Sequence, residues 1–331
     1  MEPETRQALI TALATVLATL TAIWLELDNP WWAAMSAFIV SHGDRDRLLS
    51  KGAMRVISTI VGVLLGYELA LAVEGVLVLQ ATVLFVSAFF LTRQRFGSAY
   101  SYAWMMGMLM IAMMIYVSIM EPYDLRGFGY ARVIEVCLGV GLATLVNAII
   151  PGAVPSPRVE NARDPKVLLE HNRVAFMAAV VTVAIPLLWS WLELPSMVQV
   201  AVTILRMIDP DLTRSRRRAS LRLAGCFVGG LLGLLIASLQ LDDLLLWALV
   251  LFVSLLFFGR LHHGEGPYAY AGTQACYALI FTFVTGSGPP DSIMPVLDRF
   301  TGILCGVALV VTASFVFAGK PGPTSREGYA K

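Results

Sequence analysis

The chain has 331 residues, of which 57% are hydrophobic and 14% charged, and its 24 basic and 23 acidic residues leave a formal charge of +1. A soluble protein of this length cannot enclose so much apolar surface in one core. The composition also excludes a disordered chain, a secreted disulfide scaffold and a nucleic-acid-binding protein, which needs a basic excess. It predicts an all-α, polytopic membrane protein.

Apolar runs recur along the whole chain, and most approach the length of about 20 residues that a bilayer requires. In the first half they cover roughly 7–26, 56–73, 75–92, 98–120 and 131–151. In the second half they cover roughly 174–192, 221–240, 244–259, 268–285 and 300–318. Two shorter runs, Trp31–Val40 and Met197–Leu205, bring the prediction to twelve membrane segments, six in each half.

The basic residues sort to one side of this predicted topology. With the N-terminus in the cytoplasm, only Arg126, Arg132 and Arg299 fall on the outer side. Because cytoplasmic loops are enriched in Lys and Arg, both termini are predicted to be cytoplasmic. We expect a first membrane repeat over 1–151, a cytoplasmic linker over 152–172, a second membrane repeat over 173–319 and a cytoplasmic tail over 320–331.

The two halves resemble each other at a shift of 167 residues. The shift aligns Trp24–Leu27 with Trp191–Leu194, Arg55 with Arg222, Gly62 with Gly229 and Arg132 with Arg299. One further residue of shift aligns Tyr100 and Tyr102 with Tyr268 and Tyr270. Six segments per half is an even number, so the sequence predicts parallel repeats related by a pseudo-two-fold axis along the membrane normal.

A short Trp-bearing segment, Pro30–Met35, is followed by a polar loop and then by Arg55, Gly62 and Gly66. This pattern resembles the fusaric-acid-resistance family, over essentially the whole chain and once per half. The resemblance implies a bacterial inner-membrane exporter of aromatic or other organic carboxylates, with a periplasmic membrane-fusion protein as partner. Larger members carry a sizeable cytosolic domain between their membrane halves, whereas about 20 residues join the halves here, as in a compact member. Plant aluminium-activated malate channels are distantly similar.

The two short segments are candidates for the transport site, because short segments in matching positions of two repeats mark such sites. Trp31 and Trp32 begin the first of them. Arg132 and Arg299 begin the last segment of each repeat, and a pair of guanidinium groups suits a carboxylate. The alternatives are a tilted short helix and arginines that reach the headgroups or form local ion pairs.

Two carboxylates, Glu68 and Glu135, lie inside apolar runs and have no acidic counterpart in the other repeat. An intramembrane carboxylate is costly and indicates a functional role, most often proton coupling. Both residues lie near the outer ends of their segments, so an interfacial position is the alternative. The sequence therefore predicts Glu68 and Glu135 as proton-coupling residues.

Acidic residues follow each short segment at the cytoplasmic side and are candidates for a gate, paired with nearby arginines. They are Asp44, Asp46, Asp209 and Asp211. Capping of the next helix or neutralisation of the basic loop is the alternative. Although His42 neighbours the first pair, a third ligand at suitable spacing is lacking, so no metal site is predicted.

Aromatic side chains lie just inside the predicted cytoplasmic boundary and are candidates for stacking on an aromatic substrate. They are Tyr100, Tyr102, Tyr268 and Tyr270. An aromatic belt at the membrane interface is the alternative.

The sequence shows no nucleophile with a base and no nucleotide loop, so neither an enzyme nor a cofactor is predicted. We expect a transporter that exports organic anions and uses the proton gradient. The family resemblance implies aromatic carboxylic acids as its substrates. A passive anion channel on the pseudo-two-fold axis and a membrane scaffold for a fusion protein are the alternatives. The expected partners are the bilayer, a small organic anion, a periplasmic membrane-fusion protein and further copies of the chain, but no nucleic acid.

Overall fold

The computed structural model describes residues 2–120, 124–152, 167–192, 197–208, 212–239, 241, 243–284 and 294–317. The first half of the chain forms six helices. They are α1 (Pro3–Trp24), α2 (Pro30–Val40), α3 (Arg45–Ala72), α4 (Leu77–Gly97), α5 (Ser101–Met120) and α6 (Leu125–Ile149).

The second half forms six more helices, with lengths that follow those of the first half. They are α7 (Val167–Leu192), α8 (Met197–Met207), α9 (Leu212–Ala237), α10 (Leu244–His263), α11 (Ala269–Phe283) and α12 (Met294–Val316). No strand occurs in the described ranges, so the predicted all-α class is confirmed.

Eight helices within the described ranges are long and apolar enough to cross a membrane, which confirms a polytopic membrane protein. The short helices α2 and α8 each contain 11 residues. At 1.5 Å per residue such a helix spans about 16 Å, roughly half of the hydrocarbon core. The helix lengths therefore match the sequence-based expectation that neither segment is long enough to cross the membrane alone.

Helix packing is matched between the two halves. Helix α3 packs along α5, and α9 packs along α11 in the same way. Across the halves, α4 packs against α7 while α10 packs against α1. The parallel two-repeat layout stays a prediction, and these paired contacts support it.

Glycines permit the closest helix contacts and fall at equivalent positions. A Cβ atom on Gly62 of α3 would lie 2.7 Å from the Met110 Cβ of α5, and Gly229 of α9 faces Ala275 of α11 as closely. Since small residues let helix backbones approach within a bilayer, these glycines fix α3 on α5 and α9 on α11.

Candidate functional site

Helix α2 is held between α1 and α6, and its surroundings contain two buried charged clusters. On α6, Gly139 faces the backbone carbonyl of Ala33 and the Cβ of Ser36, leaving no room for a side chain. Ten of the eleven residues of α2 are buried. The short apolar helix is therefore enclosed by protein, as non-spanning backbone at membrane depth must be.

The first cluster is an ion pair inside α6. Arg132 is 1% exposed and Glu135 is fully buried, and their Nη2 and Oε2 atoms are 2.9 Å apart. The backbone N–H of Asn29 donates to Glu135 Oε1 at 2.9 Å. Glu135 therefore links α6 to the residue that precedes α2.

Aromatic rings surround the Arg132 guanidinium. Its Cζ atom lies 5.0 Å from the ring centroids of Trp32 and Phe128 and 5.8 Å from that of Trp31. Trp31 stacks on Trp32 at 4.4 Å and also meets Phe281 of α11 at 4.2 Å. Phe281, a residue of the second half, is thus in contact with the aromatic rings of the first half. The Nε and Nη1 atoms of Arg132 have no hydrogen-bond partner among the described residues.

The second cluster centres on Arg55 of α3, which is 2% exposed. Its Nε donates to Ser36 Oγ at 3.1 Å, and its Nη1 donates to Tyr102 Oη at 2.8 Å and contacts Met106 Sδ at 3.3 Å. Arg55 thereby connects α2, α3 and α5. The positive-inside pattern places Arg55 among the basic residues of the cytoplasmic side, and it does not predict that Arg55 is buried.

The second half contains an equivalent arrangement around Arg222 of α9, which is 1% exposed. Its Nη2 donates to Thr203 Oγ1 at 3.1 Å, and its Nη1 donates to Gln274 Oε1 at 2.6 Å. Thr203 is the repeat counterpart of Ser36, and Gln274 is that of Met106. The repeat alignment of Arg55 with Arg222 was the sequence signal that could have identified both residues.

Neither Arg55 nor Arg222 has a carboxylate within ion-pair distance among the described residues. Their hydrogen-bond partners are neutral hydroxyl, amide and thioether groups. An arginine buried in a membrane protein without a counter-charge is costly and indicates a functional site.

The other predicted site residues are more scattered. Glu68 is exposed on α3, and Tyr100 and Tyr268 are also exposed, at 64% and 62%. None of the three belongs to the buried arginine clusters. Tyr102 and Tyr270 are half-buried on the faces of α5 and α11 that meet α3 and α9. Asp209 and Asp211 lie outside the described residues, as does the side chain of Arg299.

Asp44 caps helix α3. Its carboxylate accepts the backbone N–H groups of Asp46 and Arg47 at 2.9 and 3.4 Å, and it pairs with the Arg47 side chain at 3.8 Å. Asp46 is exposed. Helix capping, the alternative to a gate, is thus observed for Asp44. The gating role stays a prediction.

Two histidines, His42 and His263, make polar contacts that the sequence did not predict. His263 Nε2 lies 2.9 Å from Thr11 Oγ1, and Thr11 donates to Ser41 at 3.0 Å. His42 Nδ1 accepts the backbone N–H of Asp44 at 3.0 Å. Burial, followed by the positive charges of Lys51 and Arg47, lowers the pKa of His42. No arrangement of His, Cys, Asp and Glu in the described ranges has the geometry to hold a metal ion.

Comparison with known proteins identifies the same family in both halves. The profile described as fusaric acid resistance protein family matches residues 4–164, and that described as fusaric acid resistance protein-like matches residues 173–313. A protein of Gluconobacter oxydans (strain 621H), named uncharacterized transporter GOX0755, is 35% identical over 79 residues. That match covers 24% of this chain and 10% of the relative.

A comparison with solved structures returns no match. The two family profiles together nevertheless extend over almost all of the chain and meet near the predicted repeat boundary. The eight long apolar helices are those of a multi-pass membrane protein. The chain belongs to the fusaric acid resistance protein family.

Proposed function

We propose that the protein is a transporter that exports organic anions, with aromatic carboxylic acids as the substrate class and the proton gradient as the driving force. The observation that carries this proposal is the buried Arg132–Glu135 pair, lying beneath the rings of Trp31 and Trp32. Family membership and the relative named as a transporter support it. The predicted inner-membrane location and fusion-protein partner belong to the same proposal.

Glu135 is suited to couple protonation to a change in helix packing. It is the one carboxylate buried within the described residues, and intramembrane carboxylates serve as proton relays. When Glu135 takes up a proton, its charge attraction to Arg132 is lost and it becomes a weaker acceptor for the Asn29 N–H. The contact between α6 and the start of α2 is then weakened.

The charge of the substrate also suits this driving force. Export of an anion in exchange for an entering proton moves both charges in the direction favoured by an inside-negative membrane potential. The aromatic rings around Arg132 offer faces for an aromatic acid, and its unpartnered Nε and Nη1 atoms are donors for a carboxylate. Arg132 and Arg299 therefore remain our proposed substrate ligands, with Glu135 rather than the exposed Glu68 as the preferred proton carrier.

Flux into proteoliposomes tests this proposal. With a pH gradient imposed and radiolabelled benzoate as the probe, we expect transport against the benzoate gradient. The double variant Arg132→Ala and Arg299→Ala should weaken benzoate binding, with Arg260→Ala as a control at an exposed position. A benzoate current that follows voltage and ignores the pH gradient would contradict the exporter proposal.

A passive anion channel is the second candidate. The observation that favours it is the pair of buried arginines, Arg55 and Arg222, without carboxylate partners in the described ranges. Fixed positive charges of this kind attract anions into a pore. The voltage-following current described above is the result that this candidate predicts.

A further inference from the structure

The Arg222 cluster in the second half contains buried donors that lack acceptors. The Nε of Arg222 has no hydrogen-bond partner among the described residues, although its Nη1 and Nη2 atoms are both bonded. A buried N–H without an acceptor loses the hydrogen bond that water gives it in the unfolded chain. The guanidinium is therefore incompletely satisfied by the protein.

Gln274 adds a second unsatisfied donor. Its Oε1 accepts from Arg222, which fixes the orientation of the amide, because a guanidinium can only donate. The amide Nε2 consequently has two N–H groups, and no described residue accepts from it. The Gln274 side chain is fully buried in α11.

Tyr270 supplies a third group at the same face. It lies four residues before Gln274 on α11, so the two side chains are neighbours along the helix. The Tyr270 hydroxyl is buried and has no hydrogen-bond partner in the described part of the chain. The donors of all three side chains call for a ligand that accepts several hydrogen bonds.

Charge identifies the class of that ligand. Of the helices that pack on α9, α8 and α11 contain no acidic residue, and the acidic residue of α12, Asp298, is exposed. An anionic acceptor would supply both the missing counter-charge and the missing acceptors. A carboxylate is the chemical class that suits such donors, because it carries a negative charge and each of its oxygens can accept more than one hydrogen bond.

We propose that Arg222, Gln274 and Tyr270 bind the carboxylate group of an organic anion. The inference deepens the proposed function, on which it rests, by assigning a second substrate position in the second half of the chain. The first half lacks an equivalent site, since Met106 replaces the amide and Tyr102 accepts a hydrogen bond from Arg55. The Arg222 cluster thus contains buried donors without acceptors among the described residues, whereas the Arg55 cluster has the hydroxyl of Tyr102 as an acceptor.

Isothermal titration of the purified full-length protein in nanodiscs, with benzoate as the probe, tests this site. Gln274→Met gives the second half the residue of the first, and it should weaken benzoate binding about tenfold by removing a hydrogen bond to a charged group. Arg222→Gln should weaken it by about a hundredfold, because the charge is lost as well. Arg260→Gln, at an exposed position, is the matched control and should bind benzoate as the wild type does.

Two further probes define the ligand class. Benzamide, which is neutral but of similar shape, should not bind, whereas chloride should compete only weakly with benzoate. Wild-type affinity for benzoate in both Arg222→Gln and Gln274→Met would overturn the assignment, and so would tight chloride binding without benzoate binding.

The titration separates this inference from the proposed function. Benzoate binding that depends on Arg222, in a protein that shows no pH-driven flux, would uphold the site and remove the exporter proposal. Unchanged pH-driven flux and benzoate affinity in Arg222→Gln would uphold the exporter and remove the site.

Discussion

Arg55 and Arg222 occupy equivalent positions in the two halves but have different surroundings. Both bond a hydroxyl of the preceding short helix, Ser36 in one half and Thr203 in the other. On the fifth helix of each half, Arg55 bonds Tyr102, whereas Arg222 bonds Gln274. The comparison shows that the cation and its hydroxyl partner recur, while the groups around them differ.

The last helix of each half shows a second difference. In α6, Glu135 pairs with Arg132, but glycine stands at the equivalent position, Gly302, in α12. A buried proton acceptor therefore has a place in the first half without a counterpart in the second. This asymmetry suits a division of roles in which the first half binds the proton beside one substrate position, and the second half binds a carboxylate at another.

The largest effect is expected from removing the acidic partner of the buried pair. Glu135→Ala leaves Arg132 with an unpaired buried charge, which should cost about 3–5 kcal/mol of stability. The control Glu68→Ala, at an exposed position on α3, should change stability by less than about 0.5 kcal/mol. Thermal unfolding of the detergent-solubilised variants measures both, and equal melting temperatures would show that the Glu135 pair does not stabilise the fold.

Close packing of α6 on α2 predicts the next largest effect. Gly139→Ala places a Cβ against the Ala33 carbonyl and should cost about 1–3 kcal/mol. Gly141→Ala, two residues along the same helix, meets no atom within 4 Å and should leave the melting temperature unchanged or raise it. A melting temperature of Gly139→Ala at or above that of Gly141→Ala would contradict the described packing.

The tyrosines of the two arginine clusters should respond differently to loss of the hydroxyl. Tyr102→Phe removes the 2.8 Å hydrogen bond from Arg55 and should cost about 1–3 kcal/mol. Tyr270→Phe removes a hydroxyl without a described partner, so its melting temperature without benzoate should match that of the wild type. Equal losses in the two variants would remove the asymmetry between the clusters.

His42 predicts the smallest effect, a difference in pH dependence. Because its pKa is lowered in the folded protein, the unfolded chain binds a proton more readily, and stability falls as pH drops through the ordinary pKa of about 6.5. Protonation also removes Nδ1 as acceptor for the Asp44 N–H. From about pH 7.5 to about pH 5.5, His42→Gln should lose less of its melting temperature than the wild type. An identical loss would show that His42 does not contribute.

The fold was largely predictable because apolar runs mark helices in a bilayer, but the polar first turns of those helices were not. Hydropathy places one segment at roughly 56–73, whereas α3 begins at Arg45. Arg55 is therefore ten residues inside a helix instead of in a loop. Arg132 likewise lies seven residues after the start of α6, too deep to be treated as a helix-end residue.

The Arg132–Glu135 pair could be anticipated, because the two residues are one helical turn apart and both fall in an apolar run. Its aromatic neighbour Phe281 could not, because that contact joins residues 250 positions apart in sequence. Local spacing predicts partners on one helix, whereas partners on different helices depend on how the helices pack.

The central claim is that Glu135 couples proton movement to anion movement. The direct test is benzoate flux through Glu135→Gln in proteoliposomes, measured with and without a pH gradient, beside the wild type and Glu68→Gln. The account predicts that Glu135→Gln retains downhill benzoate exchange, which shows that it is folded, but loses transport against the benzoate gradient. Uphill transport by Glu135→Gln at the wild-type rate would contradict it.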